Sequence, residues 1–279
     1  MAVAVQPDGR VVTGGDDRRV LVWNPADPGA SPAELGQSDS SVLAVAVLPD
    51  RRVLTGGLDG QVLLWNPARP SASQAKLARH YGLVFAVAML PDGRVLTGGD
   101  DGRLLLWNPA DPGASPAELG RHRGWVRAVA VLPDGRVVTG GGNGRVLMWD
   151  PAHPGAGPAE LGRDHGRVRA VAVPDERVVT SEDDRRVLMW DSAHPRARPA
   201  ELGDHDSEVL AVAVLPDGRV VTGGADRRVL VWDPVRASTR AGQLSCSVTA
   251  LATAALGAAR SHLVIAHQGN GISVLLANG

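Results

Sequence analysis

Residues 91–107, PDGRVLTGGDDGRLLLW, decide the fold predicted for this chain of 279 residues. The stretch contains two short apolar runs, residues 94–98 and residues 103–107, joined by the sequence Gly-Asp-Asp-Gly. Apolar runs separated by an Asp-Gly turn are typical of β-hairpins, and the Pro-Asp-Gly before the first run predicts a further turn. The stretch therefore predicts two adjacent antiparallel strands.

The same pattern recurs along the chain and ends each time in a tryptophan: Trp23, Trp65, Trp107, Trp149, Trp190 and Trp232. Successive tryptophans are 42, 42, 42, 41 and 42 residues apart. A fixed period of this length indicates a repeat architecture, in which each unit buries its apolar surface against its neighbours. We therefore expect residues 1–279 to form one domain.

Each full repeat contains four candidate strands. The first, such as residues 42–48 (VLAVAVL), is apolar on both faces, whereas the fourth, PAELG, is short and follows prolines. Apolar character falls from the first strand to the fourth, so we expect the first at the centre and the fourth at the rim. The frequent turns leave no room for amphipathic helices or for the crossovers of a parallel sheet. The predicted class is all-β, a β-propeller of four-stranded antiparallel blades.

The repeat resembles the WD40 family. The resemblance covers essentially the whole chain and depends on the period, on a tryptophan followed by Asn or Asp, and on a histidine before the first strand. It implies seven blades and a hydrogen-bonded tetrad of His, Thr, Asp and Trp. Complete tetrads are expected in two repeats, from His80, Thr97, Asp101 and Trp107 and from His205, Thr222, Asp226 and Trp232. In the repeat that ends at Trp149, Asn143 replaces the aspartate.

Residues 248–275 align as a degenerate seventh repeat. Ile265 replaces the threonine, Gly269 replaces the aspartate and Leu275 replaces the tryptophan. No fourth strand can be assigned to this repeat, so we expect an incomplete seventh blade with an open strand edge. Residue 1 aligns inside a first strand, and we therefore expect the chain to be part of a longer protein.

The composition bears on which partners and which cellular compartment can be expected. The 29 basic and 30 acidic residues nearly cancel, so the overall charge does not favour nucleic acid or an anionic membrane as a partner. Cys246 is the only cysteine, which excludes an internal disulfide framework. Neither a signal peptide nor a membrane span is predicted, and we expect a cytoplasmic monomer.

No catalytic, cofactor or metal site is predicted. The acidic turns recur in register with the tetrad, so we interpret them as structural rather than as calcium loops or acid–base pairs. The glycine-rich residues 140–144 have no helix behind them to bind a phosphate, and Lys76 lacks the glycines of a phosphate-binding loop. His153 and His194 have no second ligand at metal spacing.

Residues that depart from the period are the candidates for binding. In an antiparallel blade, the loop before the first strand and the turn between the second and third strands lie on one face, which often binds partners in the family that the chain resembles. Aromatic residues and arginine are enriched at binding hot spots. The only Tyr and Phe, Tyr81 and Phe85, are predicted on this face, with Leu83 between them. We predict that five residues there bind a protein or peptide, preferably an acidic one: Phe85, Trp125, Arg127, Arg167 and Arg169.

Three alternatives stay open. These residues could form an ordinary solvated surface, with Trp125 covering a neighbouring loop. The chain could be a propeller enzyme or sensor with a ligand at the central channel, but the apolar first strands supply no carboxylates, histidines or metal ligands there. Nucleic-acid binding through the arginines is the third, which the near-zero net charge disfavours.

Overall fold

The computed structural model describes residues 1–27, 29–69, 74–163, 166–234, 238–243, 247–255, 260–267 and 271–278. Cys246 and Gly269, both used in the sequence analysis, lie outside these residues. The described part forms seven antiparallel sheets, six of four strands and one of three. The prediction of a seven-bladed, all-β propeller with an incomplete seventh blade is thereby confirmed. No helix among the described residues is long and apolar enough to cross a membrane.

The first four blades run from the inner strand to the outer strand in chain order. Blade 1 comprises β1 (Ala2–Val5), β2 (Val11–Gly14), β3 (Arg19–Trp23) and β4 (Ala33–Gln37). Blade 2 comprises β5 (Val42–Val47), β6 (Val53–Gly57), β7 (Gln61–Trp65) and β8 (Ala75–Arg79). Blade 3 comprises β9 (Val84–Met89), β10 (Val95–Gly99), β11 (Arg103–Trp107) and β12 (Ala117–Arg121). Blade 4 comprises β13 (Val126–Val131), β14 (Val137–Gly141), β15 (Arg145–Trp149) and β16 (Ala159–Arg163), with a 3-10 turn at Pro154–Ala156.

The last three blades follow the same order. Blade 5 comprises β17 (Val168–Ala172), β18 (Arg177–Glu182), β19 (Arg186–Asp191) and β20 (Ala200–Asp204). Blade 6 comprises β21 (Val209–Val214), β22 (Val220–Gly224), β23 (Arg228–Asp233) and β24 (Ser238–Gln243). Blade 7 comprises β25 (Val248–Ala255), β26 (Arg260–His267) and β27 (Gly271–Asn278). Leu275 pairs with Leu263 at the place where Trp107 pairs with Val95, as the alignment of the seventh repeat predicts.

The inner strands close the ring by packing. Each contacts the inner strand of the next blade, and β25 of blade 7 contacts β1 of blade 1. The sequence predicts that burial falls steadily from the inner strand to the outer strand, and this prediction is wrong. The second strand is buried along its whole length in blade 2, whereas the inner strand alternates between buried and half-buried residues. The reason is that the inner strand borders the central channel, while the second strand has a blade on each side.

The apolar core lies between the blades. In one layer, Val12, Val20 and Leu35 of blade 1 pack with Val53 and other residues of blade 2. The other hydrophobic clusters among the described residues likewise combine residues of two adjacent blades. A single blade therefore cannot bury its own apolar faces, and its stability depends on its neighbours.

Glycine makes the close approach of neighbouring blades possible. A Cβ on Gly14 would lie 2.4 Å from Cγ1 of Val42, the first residue of the next inner strand. A Cβ on Gly120, in the outer strand of blade 3, would lie 2.1 Å from Cζ3 of Trp149 in blade 4. Both distances are too short for a real side chain. These glycines are therefore required by packing between blades.

Each repeat tryptophan is also fixed within its own blade. Its indole Nε1–H donates a hydrogen bond to the hydroxyl of the threonine ten residues earlier, at 2.7 to 2.9 Å in all six cases. A buried indole N–H without such an acceptor would cost about 1–3 kcal/mol. The bond thus holds the ring in the orientation that packs on the preceding blade.

In blades 3 and 6 the structure brings together all eight residues predicted to form tetrads. His80 Nε2 lies 2.7 Å from Thr97 Oγ1, and His80 Nδ1 lies 3.0 Å from Asp101 Oδ1. Since the Thr97 hydroxyl accepts the indole hydrogen of Trp107, its own hydrogen can go to Nε2, and Nδ1–H can donate to the carboxylate. The same bonds link the second tetrad, formed by His205, Thr222, Asp226 and Trp232.

The carboxylate of Asp101 also accepts hydrogen bonds from the backbone. It receives the N–H of Arg103 at 3.0 Å and the N–H of Tyr81 at 3.2 Å. Burial acts to raise the pKa of Asp101, but these bonds and the hydrogen bond from His80 outweigh it, so the pKa lies below its ordinary value. The tetrad therefore connects the turn, the second strand and the loop before the first strand.

Blade 4 has an incomplete network. His122 Nε2 lies 2.6 Å from Thr139 Oγ1, but Nδ1 of this buried ring has no hydrogen-bond partner among the described residues. Asn143 Oδ1 instead accepts the backbone N–H of Arg145, at 3.2 Å. Burial, with a smaller contribution from the positive charge of Arg145, lowers the pKa of His122 to about 4. This histidine is therefore held neutral.

The stability of the protein should fall on mild acidification because of His122. Its folded-state pKa, about 4, lies below the ordinary value of 6.5, so the unfolded state takes up a proton first as the pH falls through that interval. The contribution of this residue to the free energy of unfolding should be about 2 kcal/mol smaller near pH 5 than near pH 7.5. Denaturant titrations at the two pH values measure the total change.

Asn143→Asp isolates the contribution of His122, because an aspartate there supplies the acceptor that blades 3 and 6 have. The variant should lose at least about 1 kcal/mol less than the wild type between the two pH values. Asn24→Asp is the matched control, because the Asn24 side chain accepts the N–H of Ala26 in an exposed turn, far from any histidine network. If both variants show the wild-type pH dependence, His122 is not the group responsible.

Gln6 is a second buried position, after His122, at which a polar side chain lacks a hydrogen-bond partner among the described residues. It is 1% exposed, and neither its amide nitrogen nor its amide oxygen has a hydrogen-bond partner among the described residues. Four other blades place a buried leucine at the same point before a Pro-Asp turn: Leu48, Leu90, Leu132 and Leu215. A buried polar group without a partner is destabilising, and the neighbouring repeats show which side chain the site accommodates.

Gln6→Leu should raise the free energy of unfolding by about 1–3 kcal/mol, because it removes an unpaired buried amide. Urea titration measures the change. The control is Gln37→Leu at an exposed position of β4, which should give no gain. Equal or lower stability of the Gln6 variant would contradict this account of the site.

Candidate functional site

Two sets of loops meet on one face of the ring, which we call the upper face. The turn between the second and third strands donates a backbone hydrogen bond to the loop before the inner strand of the same blade. The pairs are Asp100 N–H to Leu83 O at 3.0 Å, Gly142 N–H to Trp125 O at 2.8 Å and Asp183 N–H to Arg167 O at 3.1 Å. The upper face thus has the same backbone in neighbouring blades and differs in its side chains.

The inner strands carry a β-bulge where they reach the upper face. In blade 4, Val126 pairs with Gly141 and Ala128 pairs with Gly140, so Arg127 is the extra residue. The same shift occurs in blades 2, 3, 5, 6 and 7, where the extra residues are Leu43, Phe85, Arg169, Leu210 and Thr249. Bulges redirect a side chain away from the regular sheet. Phe85, Arg127 and Arg169 therefore occupy equivalent positions in three consecutive blades.

Four of the predicted binding residues form one contiguous group, the aromatic–arginine cluster: Phe85, Trp125, Arg127 and Arg167. The Phe85 and Trp125 rings have centroids 6.2 Å apart and planes inclined by 45°. The guanidinium carbon of Arg127 lies 4.7 Å from the Phe85 centroid, and that of Arg167 lies 5.7 Å from the Trp125 centroid. Each cation–π contact contributes about 0.5–1 kcal/mol where it is exposed, so the four side chains orient one another.

Arg169, the fifth predicted residue, is already paired within the chain. Its Nε–H donates to Asp183 Oδ1, and its Nη2 lies 3.2 Å from Glu208 Oε2. Arg167 shares the first of these carboxylates, with Nε 3.7 Å from Asp183 Oδ2. The repeat pattern does not connect Asp183 or Glu208 with an arginine. The repeat aligns the turn that contains Asp183 with the turns of the other blades. It does not show that the Asp183 carboxylate lies next to Arg169.

Arg127 has no hydrogen bond or ion pair among the residues that the structure describes. The side chain is half-buried, and burial lowers its pKa below the ordinary value. The positive charges of Arg169 and Arg167 lower the pKa further, while Asp183 and Glu208 offset part of this effect. A guanidinium remains charged in proteins under any of these influences. Arg127 is therefore a cation without a matched anion beside it.

A pocket of about 320 Å³ lies next to Trp125 on the upper face. It is lined by Arg123, Gly124, Trp125, Gly142, Asn143 and Arg167. Trp125 is 42% exposed, although tryptophan is usually much more buried. The pocket thus combines an aromatic wall, two guanidinium groups and the backbone of a glycine turn.

Tyr81 and Leu83 also lie on the upper face, and within the described part of the chain no aromatic or cation–π contact links Tyr81 to the cluster. Tyr81 is 90% exposed, and the Arg103 guanidinium of the same blade lies 5.6 Å from its ring centroid. Among the described residues, no group of three or more His, Cys, Asp or Glu side chains could hold a metal ion. The aromatic–arginine cluster therefore gives the described upper face both aromatic surface and positive charge.

Comparison with known proteins gives the family. The family model "WD domain, G-beta repeat" matches residues 1–24, 31–66, 72–108, 113–150 and 198–233. No curated protein matches the chain. A solved structure titled "Crystal structure of WD40 beta propeller domain of Doa1" resembles it with a TM-score of 0.83 and 18% identity, over 100% of this chain and 92% of that chain. That identity supports the fold alone, but the matched repeats span more than half of the chain, which therefore belongs to the WD40 repeat family.

Proposed function

We propose that this propeller is a non-enzymatic scaffold that binds a partner protein or peptide on its upper face. WD40 propellers commonly serve as protein-interaction scaffolds and are generally not enzymes. The observation that carries the proposal is the aromatic–arginine cluster, in which residues that depart from the repeat lie together. Periodic residues are accounted for by the fold, whereas these four are not required by it.

Trp125 supplies the apolar part of the proposed interface. It precedes the inner strand of blade 4, where other blades have Ser41, Leu83, Arg167 and Glu208, so the fold does not demand an aromatic ring at this point. Its contacts with Phe85 and Arg167 hold the ring in place before a partner arrives. A large side chain that is already ordered loses little entropy on binding, which is typical of a hot spot.

The arginines favour an acidic partner. Arg169 is neutralised within the chain, but Arg127 is not, and Arg123 adds a further positive charge at the pocket. Opposite charges across an interface speed association and select the orientation of the partner. We infer that aromatic contact provides most of the affinity and that the arginines provide orientation and salt dependence.

An enzymatic reaction at the central channel is not supported by the residues of the inner strands. The inner strands of the described blades contain no aspartate, glutamate or histidine. These side chains are the usual general acids, bases and metal ligands. We therefore assign the function to the upper face and not to the channel.

Trp125→Ala should weaken partner binding by about 2 kcal/mol or more, since truncation removes the proposed hot spot. Quantitative pull-downs from the native host first identify a protein retained by the wild type, and titration of that purified protein then measures the dissociation constants. Tyr81→Ala is the matched control, because Tyr81 is an exposed aromatic on the same face outside the cluster. It should bind like the wild type. If Trp125→Ala also binds like the wild type, the cluster is ordinary solvated surface.

A further inference from the structure

We propose that the pocket beside Trp125 binds a carboxylate of the partner, an Asp or Glu side chain, which takes in blade 4 the place that Asp183 holds in blade 5. This inference rests on the proposed function and makes it chemically specific. It follows from comparing two adjacent blades that have the same backbone and different side chains.

The two blades correspond residue by residue at the upper face. Arg127 and Arg169 are both the extra residue of a bulge in an inner strand. Gly142 and Asp183 both follow the second strand, and each donates its backbone N–H to the loop before the inner strand. In blade 5 the turn carboxylate binds the bulge arginine, whereas in blade 4 the turn residue is glycine. Blade 4 thus has the arginine without its carboxylate.

The local charges favour an added anion. The carboxylates of Asp183 and Glu208 pair with Arg167 and Arg169, which leaves Arg127 without an anion, and Arg123 at the pocket adds a further positive charge. Both carboxylates contact Arg169, and Asp183 also contacts Arg167. Among the described residues Arg127 pairs with neither carboxylate, and its guanidinium lies over the Phe85 ring. A single negative charge near Arg127 would complete the pairing.

The pocket has the space and the walls for a short acidic side chain. Gly142 has no side chain, and a Cβ there would meet Trp125 at 3.4 Å or more, an ordinary contact distance. The pocket of about 320 Å³ continues from this point between Trp125, Asn143 and Arg167. The methylene groups of Asp or Glu can lie against the indole while the carboxylate faces Arg167 in the pocket wall and Arg127 of the adjoining cluster, which lies over the Phe85 ring. Bidentate pairing of a planar carboxylate with a guanidinium is among the strongest hydrogen-bonded contacts in proteins.

A titration with a minimal ligand tests the site without a known partner. We would add acetyl-aspartate amide to nitrogen-15-labelled protein and follow the Trp125 indole N–H and the arginine Nε–H signals by NMR. The expected result is a saturable shift at Trp125 and Arg127 that weakens with salt. Acetyl-asparagine amide, which has the same shape without the charge, should give no saturable shift. Inorganic phosphate at the same concentration is the second comparison.

Two variants and a control locate the binding. Arg127→Gln removes the unpaired cation, and Gly142→Asp supplies the missing carboxylate from within the chain, so each should weaken acetyl-aspartate amide binding at least tenfold. Arg103→Gln should leave it unchanged, because Arg103 lies over Tyr81 outside the cluster. Absence of saturation, wild-type binding by the first two variants, or tighter binding of phosphate than of the carboxylate would each overturn the assignment.

The outcomes also separate this inference from the proposed function. If acetyl-aspartate amide does not saturate the site but Trp125→Ala abolishes binding of a purified partner, the scaffold function stands and the carboxylate site is wrong. If the carboxylate saturates the site but no partner depends on Trp125, the site is real and the proposed function is wrong.

Discussion

The structure depends on the close approach of one blade to the next. Glycines such as Gly14 and Gly120 leave room for a valine and a tryptophan of the following blade, and the apolar core lies at these contacts rather than within any blade. The Trp–Thr hydrogen bond then fixes the orientation of the packed indole. Because the same contacts recur at a nearly constant period, the blades form a ring, and blade 7 meets blade 1 by packing.

This regularity explains how a binding surface arises without a dedicated domain. The ring places the bulge residues of adjacent blades side by side, so substitutions one period apart in sequence become neighbours in space. Blade 3 combines a turn carboxylate, Asp100, with Phe85; blade 4 has Arg127 without a carboxylate; and blade 5 has Arg169 with Asp183. A contiguous surface with aromatic and cationic parts results, while the backbone beneath it stays the same.

Much of the fold could be predicted from the sequence because the repeat is strict. The period, the hairpins and an incomplete blade 7, which has three strands among the described residues, followed from the pattern and are confirmed by the structure. The sequence also identified four residues that prove to be in contact, since aperiodic residues stand out against a repeat. It could not show that Arg169 is neutralised by Asp183 and Glu208, because those distances depend on how the blades are placed. Nor could it show that Gln6 is buried without a partner.

In this structure the periodic residues hold the ring together, and we expect the aperiodic cluster to contribute little to folding. Denaturant unfolding of Gly14→Ala and Trp125→Ala tests it directly. The glycine variant should lose about 2 kcal/mol or more of unfolding free energy, because its new methyl group overlaps Val42. The tryptophan variant should lose less than about 1 kcal/mol, as expected for a surface residue. If Trp125→Ala is as destabilising as Gly14→Ala, Trp125 belongs to the fold, and the upper face has no site at this position.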